Sequence, residues 1–559
     1  MIDAIRNRAE GAVGRTAGAR AEWCVVLLSC VAASLAAITW NWRHGAMLNY
    51  GDAVAHLHIA RRVFDSHRPG VTQLGSVWLP LPHIVLVPFV AVYAWWANGA
   101  AALIPSALAW LASCMGVYRL ARRWLDPAPA AIALAFFALN PNLLYLQTTA
   151  MTEPLFVCEM VWTAVWLVEW RSTLDANPDA NNDRRGSRLL WRIAFVLGAA
   201  VYTRYDGWIM TLLAWSAIGV ALVRRGKLRS RTFWLASVVV VAAPAVWLIY
   251  NALVFDDWLD FVRGPYSAAA IEMRTAAPGS GPPHPGWHNP WVSLIFYVKC
   301  VEIDTAALGW GNVLLVVSLL GTIWAWITAR KRAFLWALLL WLPIPFYTYS
   351  VAYGSVPIFL PVWWPHSWYN TRYGLEMLPA IALSLGFAAS FAGSAARRFN
   401  PRLADVAAAA ILAVLALNLV WMLRQGPAVY VEGTKNIDAR RTYELEIPAA
   451  LRDLLVTRPG GVVLMDTSVY PQIVAFTGIP LRQTINESDK EFYRAALGAP
   501  AQHAALVLAF SGDEVDRAVH AHPEGLRAVR RFAAPNQPSA TLYVSDTHSE
   551  RNSAGAPGE

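Results

Sequence analysis

Two carboxylates of this chain stand where an acid has chemistry to do. Asp52 follows the first apolar stretch within Tyr50-Gly51-Asp52, and Glu153 opens a later one within Thr152-Glu153-Pro154. An acid at the end of an apolar helix is costly to keep there, and its presence suggests function. One of the two could act as a general base toward a hydroxyl, and together they could bind a divalent cation through oxygen. Each could equally be a helix cap. Asp is a favoured N-cap, and Glu153 precedes a Pro, the favoured first helical residue.

Basic and aromatic residues form a second set. Arg204 lies within Thr203-Arg204-Tyr205-Asp206-Gly207, and Arg372 within Asn370-Thr371-Arg372-Tyr373, close after His366. A guanidinium held at an interface matches a lipid phosphate bidentately; the alternative is an arginine that snorkels to headgroups with no specific ligand. The latter reading suits Arg263 and Lys299 better. Trp78 and His83 bracket a Pro-rich segment, Trp78-Leu79-Pro80-Leu81-Pro82-His83. They could meet a sugar by stacking and hydrogen bonding, or the Trp could be an interfacial anchor.

The elements that must position these residues are apolar stretches of about twenty residues, long enough to cross a bilayer as helices. They recur from Trp23 to Leu423. Basic clusters fall in every second loop: Arg6 to Arg20, Arg119 to Arg123, Arg184 to Arg188, Arg224 to Arg231, Arg330 to Arg332 and Arg397 to Arg402. Lys and Arg mark the cytoplasmic side, so residues 1–22 lie inside and the loops 43–98 and 253–307 outside. Crossings are expected at 23–42, 99–118, 128–146, 153–170, 189–203, 207–223, 232–252, 308–328, 334–352, 373–392 and 404–423. This gives about eleven helices whose reversals agree with the charge pattern. His56 to Phe64 reads as an amphipathic helix in the interface. The Pro-rich stretch 79–96 reads as juxtamembrane or re-entrant, because a crossing there would put Arg119 to Arg123 outside. The stretch 277–286, dense in Gly and Pro, is too irregular for regular structure.

Composition agrees with a polytopic membrane protein: 559 residues, 57% hydrophobic, 15% charged, mean hydropathy +0.38. The net charge of +9 follows from the cytoplasmic clusters, which face anionic lipid; no nucleic-acid partner is required. Cys24, Cys30, Cys114 and Cys158 sit in apolar segments and suggest neither a disulfide framework nor a zinc motif. The first apolar stretch ends in Trp40-Asn41-Trp42, not in small residues, so it reads as an uncleaved anchor. After the membrane region 23–425, residues 426–546 take the composition of a soluble α/β domain. It has strands at Val462–Met465, Leu506–Ala509 and Thr541–Val544 and helices near 440–455 and 513–522. Topology parity places this domain outside. Residues 547–559 have the composition of a disordered tail.

Taken together, Tyr50-Gly51-Asp52, Trp78 to His83, Thr152-Glu153-Pro154, Thr203 to Gly207 and Asn370 to Tyr373 resemble the GT-C glycosyltransferases. The resemblance covers roughly 23–379. It is nearest to the bacterial branch related to protein O-mannosyltransferases and the lipid A aminoarabinose transferase. It implies an all-α polytopic bundle with juxtamembrane helices, which moves a sugar from a polyprenyl-phosphate donor to a lipid, glycan or protein acceptor. Transfer would occur on the outer face with inversion. Asp52 would match the family's first-loop base and Glu153 the acid after the third crossing. Where many relatives carry Asp-Glu this chain has Asp52-Ala53, so donor and acceptor identity stay open. No cofactor is certain, and a divalent cation on Asp52 and Glu153 remains an option. A flippase for a lipid-linked saccharide and a non-catalytic envelope assembly factor are the competing readings.

Overall fold

A computed structural model describes residues 2–175, 180–275, 282–307, 309–328, 331–535 and 537–547. Among them, eight helices are long and apolar enough to cross a membrane by length and composition. The chain is a multi-pass membrane protein. Its bundle is mostly helical, as the sequence leads one to expect, and a small sheet domain follows.

The helix Glu153–Asp175 gives the scale of the bundle. At a rise of 1.5 Å per residue it is about 33 Å long, close to the ~30 Å of a hydrocarbon core. Its far end belongs to the basic clusters: Asp175 accepts from Arg225 at 2.5 Å and Glu169 from Arg119 at 2.6 Å. Glu22 of the first helix accepts from Arg122 at 2.7 Å nearby. Glu153 therefore stands at the opposite end of the bundle, where Ala180–Thr203 finishes and Asp206–Arg224 begins.

Three expected segments differ in shape. The stretch 128–146 breaks into Pro127–Ala138 and Pro141–Leu146. Pro141 has no N–H to continue the helix, and the Asn140 side chain instead accepts from the backbone N–H groups of Asn142 and Leu143. The loop 253–307 contains a helix, Pro290–Thr305, started by Asn289 and Pro290 and buried in the bundle at Phe296, Tyr297, Cys300 and Asp304. Of the irregular stretch 277–286, residues 277–281 lie outside the described residues. The segment beginning at His56 is helical, Gly51–Arg62, but does not lie on the lipid interface. His56, His58 and Arg61 are buried. Arg61 is held by Asp65 at 2.7 Å, by the Val90 carbonyl at 2.8 Å and over the Trp96 ring at 4.6 Å. Protein covers the face that the alternation assigned to headgroups.

The C-terminal sheet has five strands: β1 (Val463–Met465), β2 (Thr484–Ile485), β3 (Leu506–Phe510), β4 (Leu526–Phe532) and β5 (Ala540–Ser545), ordered β2-β1-β3-β5-β4. β1 pairs parallel with β2 and β3, whereas β5 is antiparallel to β3 and β4. The domain sits on the loop region after the first helix. Asp65 accepts from the Leu481 and Arg482 N–H groups at 3.2 and 3.3 Å, Tyr93 donates to the Ala475 carbonyl at 3.2 Å, and Gln472 to the Ala97 carbonyl at 2.9 Å. The boundary at 426 divides the sequence but not the packing. The helix Ala428–Val456 starts inside the bundle: its Val429 N–H reaches Asn142 and its Val429 carbonyl accepts from Tyr50, both at 2.9 Å. The tail residues 548–559 lie outside the described residues.

Candidate active site

Asp52 occupies the first turn of Gly51–Arg62, whose N-cap position belongs to Tyr50, so capping is not its role. Its Oδ2 accepts from Arg372 Nη2 at 2.7 Å, and its side chain is 43% exposed. The same guanidinium donates through Nε to Glu153 at 3.0 Å and through Nη1 to Glu432 at 3.4 Å. Glu153 is fully buried. Arg372 thus bridges three acids brought from three distant parts of the chain.

Arg204 builds the floor. Its Nη1 reaches Thr152 at 2.9 Å and Glu153 at 3.1 Å, Nε faces Asp206 at 3.3 Å, and Nη2 reaches Tyr347 at 2.6 Å and Glu376 at 3.2 Å. The Tyr347 hydroxyl in turn donates to Glu376 at 2.6 Å. Four of the Arg204 donors are hydrogen-bonded to Asp206, Thr152, Glu153 and Tyr347, and Glu376 is a close ion-pair partner. Where the sequence suggests a lipid phosphate, the structure places acids around this guanidinium. Arg372 keeps donor capacity, yet two guanidiniums share five carboxylates, Asp52, Glu153, Asp206, Glu376 and Glu432.

Local backbone shape makes this convergence possible. Asn370 adopts a left-handed conformation (φ 58°), which Asn tolerates better than most residues. Glu432 then accepts from the Asn370 and Thr371 N–H groups at 3.0 and 2.8 Å. That grip fixes the turn carrying Arg372. Tyr373 lies between the two cations, 5.0 Å from the Arg372 and 5.2 Å from the Arg204 guanidinium carbon, and stacks on Tyr347 at 4.8 Å. Aromatic faces favour a nearby cation and keep the guanidinium planes in place.

The remaining expected residues fall into two places. His83 is fully buried and cannot touch a sugar directly; its Nε2 meets Nδ1 of His56 at 2.8 Å. Trp78 is 37% exposed and leans on His56 with ring centroids 4.7 Å apart. His366 is outside the network, on an exposed turn, its Nδ1 3.1 Å from the Pro361 carbonyl. Arg263 and Lys299 pair with Asp257 and Glu302 at 2.6 and 2.7 Å, away from these acids. Asp52 and Glu153 are bridged by the Arg372 guanidinium, which lies between them as their counter-charge. No group of three His, Cys, Asp or Glu side chains able to hold a metal occurs among the described residues.

Sequence reasoning missed Asp206, Tyr347, Glu376, Glu432 and His56. Glu376 carried a usable signal, being an acid inside an apolar span. Glu432 carried none, since it lies beyond the composition change at 426.

Residues 89–250 match the family model described as Dolichyl-phosphate-mannose-protein mannosyltransferase. Comparison with curated protein sequences finds no match. Among solved structures, ArnT from Cupriavidus metallidurans bound to undecaprenyl phosphate superposes with a TM-score of 0.53 at 14% identity, over 93% of this chain and 97% of that one. The chain has the GT-C glycosyltransferase fold. More distant is the oligosaccharyltransferase from Archaeoglobus fulgidus, with a TM-score of 0.45 at 11% identity, over 92% of this GT-C chain and 72% of that one.

Proposed function

We propose that this chain is a membrane glycosyltransferase that moves a sugar from a polyprenyl-phosphate donor to an acceptor hydroxyl on the extracytoplasmic face. The observation that carries the reading is Asp52: a carboxylate fixed by Arg372, anchored through it to buried Glu153, and itself open to solvent. A base must reach the hydroxyl it deprotonates, and the exposure of Asp52 leaves it reachable. In the proposed step the acceptor oxygen attacks C1 of the sugar while Asp52 takes its proton. The bond from C1 to the phosphate oxygen breaks, and the electron pair leaves with the polyprenyl phosphate. Attack opposite the leaving group inverts C1. Arg372 aims Asp52, and Arg204 with Tyr347 holds Glu153 and Glu376 in place.

Support for a lipid-phosphate donor comes from the matching family model, that of dolichyl-phosphate-mannose-protein mannosyltransferases, and from the undecaprenyl phosphate bound to ArnT. Metal enters no step of this reading. The test is transfer by the purified protein from a polyprenyl-phosphate sugar. Asp52→Asn should retain fold and donor binding yet lose roughly 10²–10⁴-fold in turnover. Undiminished turnover in that variant would remove Asp52 as the base, and absence of transfer by the parent chain across lipid-linked donors would remove the reading itself.

A further inference from the structure

His56 sits one helical turn after Asp52 on the same face of Gly51–Arg62. Its Nδ1 meets Nε2 of His83 at 2.8 Å, and both rings are buried. The other nitrogen of His83, Nδ1, is buried with no partner among the described residues. That orphan decides the direction of the bond. If His56 donated, His83 Nδ1 would carry a buried, unpaired N–H, which proteins rarely leave. If His83 Nε2–H donates to His56 Nδ1, the orphan is only a lone pair. His56 must then carry its proton on Nε2, the nitrogen opposite His83. Burial holds the His56 imidazole down at about 4, against the opposing pull of Asp52 and Glu153. It is neutral at physiological pH, with one N–H to give. No partner for Nε2 occurs among the described residues, and the groups acting on the ring are Asp52, Glu153, Arg372 and Arg204. Half-exposed Trp78 covers one side of it.

Resting on the transferase reading, the geometry points to His56 Nε2–H as a substrate-contacting donor that binds a hydroxyl oxygen beside Asp52, with His83 as the positioning residue that fixes its tautomer. A carboxylate base can accept a proton but cannot orient an oxygen by donating to it. With Arg204 turned to Thr152, Glu153, Asp206 and Tyr347, a neutral N–H one turn from Asp52 supplies that function. The hydroxyl could belong to the acceptor or to the donor sugar, and kinetics separate them.

The experiment compares His56→Phe, His83→Leu, His83→Gln and the His56→Phe, His83→Leu double variant with the full-length parent in the purified transfer assay, with melting temperature recorded for each. His56→Phe should lose about 10²-fold in kcat/KM, the scale of one lost positioned donor. A raised acceptor KM assigns the hydroxyl to the acceptor, and a raised donor KM to the sugar. His83→Leu should lose activity in the parent background and none further on top of His56→Phe, because it acts only through His56. Gln, whose amide N–H can replace Nε2–H, should restore most of the loss. Parent-like turnover by folded His56→Phe would overturn the inference while leaving the transferase reading intact. So would a His83→Leu loss that is the same size in both backgrounds, or a His83→Gln variant as impaired as His83→Leu. A parent chain without any transfer would overturn both.

Discussion

Replacing Arg372 with Ala would leave Glu153 buried beside Arg204 alone and would release Asp52 and Glu432. Removing one partner from a buried ion network costs about 3–5 kcal/mol, so Arg372→Ala should melt well below the parent in a detergent thermal-shift measurement. Arg372→Lys keeps the charge but lacks the planar fork. A single ammonium cannot meet Asp52, Glu153 and Glu432 at 2.7, 3.0 and 3.4 Å at once. It should recover much of the stability and little of the turnover. Equal recovery of both would mean that Arg372 supplies only charge. The sequence exposed Asp52, Glu153, Arg204 and Arg372 through their place at the ends of apolar stretches. It did not expose what they do to one another. Periodicity and charge locate a side chain along the membrane normal, whereas the pairing of Arg372 with Asp52 spans 320 positions of sequence and leaves no local trace.

At the scale of elements, the helix Ala428–Val456 is shared between bundle and sheet domain. Glu432→Gln should loosen the turn at Asn370 and Thr371, because Glu432 meets each backbone N–H with its own oxygen and Gln keeps only one acceptor oxygen. Hydrogen exchange at Asn370 and Thr371 should quicken in that variant, and unchanged protection would show that the turn holds itself. A second element responds to pH. After β2, Glu487 is pushed up to about 7 by burial and by nearby Asp466. Between its ordinary value near 4.3 and 7, the folded state keeps a proton that the unfolded state loses, so its contribution to stability declines as pH rises through that window. Glu487→Gln should therefore gain melting temperature at pH 8 relative to the parent and gain little at pH 5. A gain that is the same at both pH values would rule out titration of Glu487 as its cause. Three strands, Val463–Met465, Leu506–Phe510 and Ala540–Ser545, were legible from their apolar runs, whereas the Arg-rich Leu526–Phe532 and the two-residue Thr484–Ile485 were not. The break at Asn140-Pro141 and the helix Pro290–Thr305 were not either: hydropathy averages over the first, and the second is short and carries Lys299, Glu302 and Asp304 among its apolar residues.

For the whole molecule, the basic clusters and the carboxylate network lie at opposite ends of a bundle about 33 Å deep. The expected arrangement has the amino terminus in the cytoplasm and the sheet domain outside. A reporter fused after residue 547 that is active only in the cytoplasm would overturn it. The long apolar helices and the separate sheet domain were legible because the bilayer constrains length and composition together. The docking of the sheet domain onto Asp65, Tyr93 and Ala97 was not, since it rests on scattered single hydrogen bonds. The position of Glu432 has a further consequence, for biosynthesis. The acids and cations of the site enter the chain at positions 52, 153, 204, 206, 372, 376 and 432, so the ribosome delivers the last of them after three-quarters of the protein is made. At roughly 5–20 residues per second, some 20–80 s separate Asp52 from Glu432. Throughout that interval the nascent enzyme is threaded into the membrane with its Arg372 turn ungripped and its network incomplete. Chains arrested before 432 should bind at the translocon without transferring sugar.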